Sequence, residues 1–203
     1  MFQAILPRVK AQDSSTPVTR PPSARPFRTV VERDVAARFE AALVAGDAET
    51  GAHCIHELWM RGAHAGAIEK GLARLWAATG GEVPDWLPTQ HVPWLDVVYD
   101  VAGGFRAAGR GRSGIYLVLL DFSDRRGEPL GLYVGQSAYP AARRFEQHKA
   151  GIRAAGSVLK RGLEVLTGPV QHLARIPARE ARRIERELAL ALADAGLKVE
   201  GGH

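Results

Sequence analysis

Between Ser113 and Lys149 the chain sets out residues suited to acting on a phosphate: Gly114-Ile115-Tyr116, an apolar run, Tyr133-Val134-Gly135, then Arg144 and His148. A phenol with a pKa near 10 is a weak acid and a weak base until cationic neighbours adjust it. The Arg144 guanidinium is a planar fork that matches two phosphate oxygens at once. His148 follows four residues later, which on a helix places it on the same face. Farther along, the run Ala181-Arg182-Arg183-Ile184-Glu185-Arg186-Glu187 adds carboxylates. Arg143 and Glu187 are alternates to Arg144 and Glu185; the four-residue step to His148 favours Arg144. A plainer reading is also open, with the tyrosines as ordinary strand aromatics and the glutamates pairing with arginines four residues away on a solvated helix face.

The elements that would position these residues can be read from periodicity. Ile115–Phe122 is a β-type apolar run, Asp124–Gly127 a turn and Pro129–Gly135 a second strand, so the two tyrosines fall on the arms of a hairpin. Pro140 opens a basic helix over Ala141–Ala150. Residues 151–168 read as a Gly-punctuated loop with a short helix, Val170–Ile176 as a third strand, and Pro177 to about Ala195 as a long amphipathic helix with Ile184, Leu188 and Leu192 inward.

This ordered series resembles the GIY-YIG nuclease family over roughly residues 113–200. The resemblance implies hydrolysis of a phosphodiester with one divalent metal, Mg²⁺ or Mn²⁺. It implies Tyr116 as the group that activates the attacking water and Tyr133 as a hydrogen-bonding partner of phosphate or water. Arg144 would grip phosphate, and His148 would orient a tyrosine, assist the base or touch phosphate. Glu185 would be the metal ligand, a hard oxygen donor of the kind Mg²⁺ takes. The implied fold is α+β, a small, mainly antiparallel three-stranded sheet flanked by helices. The chain departs from the family in two ways. The loop between the tripeptides is longer than usual, and the Asn that usually follows the final helix is missing, since the chain contains no Asn.

The net charge of +5 is concentrated in the second half. Residues 111–203 hold 15 Lys and Arg against 10 Asp and Glu, whereas residues 1–110 hold 12 of each. A basic C-terminal part suits a phosphate backbone, and Arg125, Arg126, Arg143, Lys149 and Arg153 are the expected nucleic-acid contacts. DNA is the expected partner, with RNA also open. Apolar runs are too short to span a bilayer, a single cysteine excludes an internal disulfide, and a bacterial cytoplasm is the expected location.

Upstream, residues 1–29 read as a disordered, basic, Pro-rich arm and residues 30–108 as an all-α module of four helices: Val31–Leu43, one capped by Asp47 and running to Gly62, Ala65–Thr79 and Pro93–Ala107. Residues 109–203 form the nuclease-like domain. His53, Cys54 and His56 have too few ligands on one helix face for a zinc site. The module is expected to recognise a protein partner or to confer DNA specificity. Two other readings stay open for the whole: a decayed domain that binds DNA or protein without cutting, and a bacterial toxin or effector nuclease.

Overall fold

The computed structural model describes residues 25–202. The first helix, α1 (Glu32–Ala45), buries Val35, Phe39 and Ala42 on one stripe and ends at Gly46, whose φ of 65° is the left-handed conformation that closes a helix most readily with glycine. Asp47 caps α2 (Ala48–Met60) by accepting from the Thr50 N–H at 3.0 Å. α3 (Ala65–Ala78) and α4 (Leu95–Gly103) complete the helical part, α4 stopping short of the expected Ala107 because Gly103-Gly104 gives the turn no side-chain support. Trp59 and Trp86 are buried between them, while Trp76 is 48% exposed.

The second half is built around β1 (Gly114–Asp121). It pairs antiparallel with β2 (Leu130–Ser137) on one side and with β3 (Gly162–Val165) on the other. A fourth strand, β4 (Val199–Gly201), runs parallel to β2, so the sheet order is β3-β1-β2-β4 and the sheet is mixed and four-stranded rather than three-stranded and antiparallel. Ile115, Leu117 and Leu119 face a core shared with α7 (Ala178–Asp194) and the helical part. Tyr116, Val118 and Leu120 face a smaller core closed by Phe145 of α5 (Ala141–Lys149) and Val158 of α6 (Gly156–Arg161). Among the described residues no helix is long and apolar enough to cross a membrane.

Two differences from the sequence expectation have clear causes. The segment expected as the third strand, Val170–Ile176, is mostly a 3₁₀ helix, Gly168–Leu173. Its buried apolar residues, Val170, Leu173 and Ile176, recur every three residues, the 3₁₀ period, rather than every two. The third strand is instead Gly162–Val165, inside the expected loop. β4 went unforeseen because three residues carry no period of their own.

Most of the expected N-terminal arm lies outside the described residues, but its last part is fastened to α2. Arg25 donates from Nε and Nη2 to the Glu57 carboxylate at 3.0 and 2.8 Å. Arg61 donates to Glu57 and to the carbonyls of Phe27 and Val30. Glu57 is 1% exposed. Burial pushes its carboxyl up, but hydrogen bonds from Arg25 and Arg61 outweigh that and hold it below the usual carboxylate range. A depressed folded-state pKa contributes stability that is complete above the unfolded value and is lost as pH falls through the folded one. We therefore expect Glu57→Ala to cost about 3 kcal/mol at pH 7, the low end for removing one partner of a buried pair. In thermal melts below pH 5 the wild type should lose its advantage over the variant; a constant gap down to pH 3 would contradict this account.

Candidate active site

The β1–β2 register sets Tyr116 opposite Gly135, with Tyr133 two residues away on the same face. The two phenol rings lie 6.0 Å apart between centroids. Glycine at 135 is a steric requirement: a Cβ there would sit 2.5 Å from the Tyr116 ring and hydroxyl and 2.7 Å from the Tyr133 ring. The last residue of the second tripeptide thus provides the space in which two tyrosines share one face of the sheet.

α5 brings His148 against this pair. His148 is 1% exposed, and its Nε2 lies 2.9 Å from the Tyr116 hydroxyl. Its Nδ1 accepts the backbone N–H of Ala155 at 2.9 Å. A backbone N–H can only donate, so Nδ1 carries a lone pair and the neutral ring carries its proton on Nε2. His148 therefore donates to the Tyr116 oxygen. Burial, with help from the Arg144 charge, lowers the His148 pKa and keeps this neutral form in place. Burial chiefly, then Tyr133, raises the Tyr116 pKa, with Arg144 opposing. The Tyr133 pKa is raised by burial, with the Glu185 charge adding to it and the hydrogen bond from Tyr116 and the Arg144 charge working against it. The two phenols are thus close enough to act on each other's titration, and Arg144 and Glu185 lie close enough for their charges to act on both or one of them.

Arg144 is held by the loop after α5. It donates to the carbonyls of Ile152 (3.2 Å) and Arg153 (2.8 Å) and to Gln147 Oε1 (3.2 Å). Glu185 stands on the first half of α7, 9% exposed. Glu187, by contrast, is spent on an exposed ion pair with Arg183, and Arg143 stacks over the Tyr139 ring at 4.9 Å rather than on the tyrosine pair. Tyr116, Tyr133, Arg144, His148 and Glu185 therefore come together.

The expected nucleic-acid contacts divide. Arg143 lies beside the site. Arg153 lends its carbonyl to Arg144 and keeps its side chain exposed. Lys149 is tied to the carbonyls of Leu159 and Gly162. Arg125 and Arg126 sit in the hairpin loop beyond Asp121, five strand residues from Tyr116, roughly 17 Å at strand rise. A cleft of about 640 Å³ opens at Tyr116 and is lined also by Ser137, Tyr139, Gln171 and Arg175; these were not singled out by sequence, since they lie on segments with no shared period.

Among the described residues no group of three or more His, Cys, Asp or Glu side chains could hold a metal ion on its own. His172 faces the Ala102 carbonyl at 3.1 Å. Compared with known proteins, the chain matches no protein-family model, no curated protein and no solved structure.

Gly135→Ala should disturb both tyrosines at once. The expected outcome is a loss of about 1–3 kcal/mol of stability, typical of forcing a methyl into a filled site, with changed tyrosine near-ultraviolet circular dichroism. A variant as stable as wild type with an unchanged spectrum would rule out the steric account.

Proposed function

We propose that the chain is a metal-dependent endonuclease of the GIY-YIG type that hydrolyses phosphodiester bonds in DNA, using Mg²⁺ or Mn²⁺. The observation that carries this reading is the Tyr116–His148–Ala155 chain of hydrogen bonds, in which a buried histidine with a fixed tautomer points its only N–H at a phenol oxygen. Such a donor has no packing role; it stabilises negative charge on Tyr116. His148 is thus assigned as an orienting and charge-stabilising donor. Its burial separates it from phosphate, and its bound Nδ1 prevents it from taking the Tyr116 proton.

Tyr116 acts on the attacking water. As the water oxygen bonds to phosphorus, Tyr116 takes the water's proton while handing its own phenol proton on by way of the Tyr133 hydroxyl to solvent; the ester P–O bond breaks and the leaving oxygen is protonated by solvent water. Arg144, fixed by three acceptors, faces the phosphate oxygens and offsets the charge that builds on them. Glu185 would hold the metal. A single carboxylate fits Mg²⁺, which keeps most of its waters and takes the rest of its shell from phosphate, and it does not fit a metal that needs a full protein cage. When bound, the ion supplies Lewis-acid polarisation of the phosphate and lowers the pKa of a coordinated water.

One observation favours a second reading, a decayed domain that binds without cutting: the chain has no asparagine to occupy the position that usually follows the final helix. The cytoplasm remains the proposed location.

Relaxation of supercoiled plasmid in Mg²⁺ and in EDTA separates the two. Wild type should nick only with metal. Tyr116→Phe should slow nicking by at least about 10²-fold, the lower range for losing a general base, and Glu185→Gln should abolish it. Metal-independent nicking, or full activity in Glu185→Gln, would refute the assignment; salt-sensitive binding with no metal-dependent cleavage of plasmid, branched or single-stranded DNA would establish the second reading. Nicking should also decline as pH falls through the His148 pKa, which burial holds below the ordinary histidine value, because protonating Nδ1 of His148 breaks its bond from Ala155.

A further inference from the structure

The cleft at Tyr116 does not end there. A second cleft of about 640 Å³ adjoins it, and the two share Ala174 and Arg175 as lining residues. Arg112 and Arg175 line the first; Arg106, Arg110 and Arg175 line the second. Against these four arginines the only acidic lining residue among the described residues is Asp85, in the first cleft. All four arginines are exposed, and among the described residues none is in a salt bridge.

The floor of this groove is fixed. The 109–113 linker runs against the segment after the 3₁₀ helix through three backbone hydrogen bonds: Gly111 N–H to Arg175 O (2.8 Å), Ser113 N–H to Ile176 O (3.1 Å) and Ile176 N–H to Ser113 O (2.7 Å). A side chain at Gly111 would strike the Ile176 carbonyl, so the close approach depends on glycine. At the junction of the two clefts Arg175 adopts φ 58°, the left-handed region that a non-glycine residue enters only at a cost. Glycine would be easier there for the backbone, so the arginine side chain is the feature that the strain serves. At the other end Tyr139 is 50% exposed, lines the cleft and carries the Arg143 guanidinium over one ring face. Its position is set by the Tyr139 N–H to Ser137 Oγ bond at 2.9 Å.

We propose that this groove is the path of a single nucleic-acid strand, running from a base stacked on Tyr139, past Tyr116, over Arg112 and Arg175, to Arg106 and Arg110. A basic groove with an aromatic platform is how unpaired strands are held, because their base faces are free to stack. A duplex keeps its bases stacked on each other and offers Tyr139 nothing. The proposal rests on the nuclease reading for the meaning of Tyr116, and it directs that activity to substrates with an unpaired stretch.

The test is fluorescence anisotropy of a labelled single-stranded DNA oligonucleotide on the full chain in EDTA, across a salt series. The single strand should bind tighter than the matching duplex. Arg175→Gly, which also relieves the backbone, should keep or raise the melting temperature while weakening binding at least about three-fold. It should also reduce the slope of log affinity against log salt by about 0.7, one phosphate contact on a single strand. Arg110→Ser should do the same. Tyr139→Ser should weaken binding about ten-fold with little change in slope, and Arg33→Ser, on exposed α1, should change nothing. Unchanged affinity and slope in Arg175→Gly, tighter binding of duplex, or preference for a poly-glutamate peptide over the oligonucleotide would each overturn the path. Binding in EDTA needs no chemistry. Groove binding without metal-dependent nicking would sink the nuclease reading alone, and nicking that ignores Arg175→Gly would sink the path alone.

Discussion

β1 is covered on both sides, so its alternate residues belong to different cores. Leu117 and Leu119 hold the sheet to α7 and the helical part. Val118 and Leu120 hold it to α5 and α6, and Tyr116 takes its place in that second row. The phenol is therefore positioned by the same alternation that packs the sheet, and its orientation cannot slip without moving every apolar side chain of the strand to the wrong face. From this follow the other placements: Gly135 must be opposite, Tyr133 must be adjacent, and α5, packing on the same face, must deliver His148 to the Tyr116 hydroxyl.

Charge is arranged around that frame with an economy of carboxylates. Where arginines are structural they are matched: Arg25 and Arg61 with Glu57, Arg74 with Glu40, Arg161 with Asp124, Arg183 with Glu180 and Glu187. Around the tyrosines and just before the linker, Arg144 and Arg106 are held by carbonyls and Arg143 by a ring instead. A guanidinium fixed by neutral acceptors keeps its charge available to an incoming anion, whereas one fixed by a carboxylate does not.

Much of this was legible in the sequence, where a local rule applied. The hairpin and its two tyrosines follow from alternation and turn residues, the Arg144–His148 relation from helix spacing, the start of α2 from Asp47. Glu185 was separable from Glu187 only weakly in sequence; in the fold one is nearly buried near Tyr133 and the other is spent on Arg183. What was not legible came from distance along the chain. The arginine groove joins residues 106–112 to residue 175 through a backbone bridge with no linear signature. The Glu57 anchor joins α2 to residues 25–30, which composition alone reads as disordered. The 3₁₀ helix was mistaken for a strand because its three-residue apolar period was taken for alternation.

The β1–β2 hairpin also imposes an order of assembly. Its strands are separated only by residues 122–129, so the phenols can meet through contacts close in sequence, which form soonest. His148 follows after a further short stretch. Glu185 lies on a helix that docks from some fifty residues beyond Tyr133, and β4, which seals the same edge, comes later still. In a chain emerging in order from synthesis the phenols and histidine become available to one another before the carboxylate does, so the acidic member of the constellation is the last to be installed.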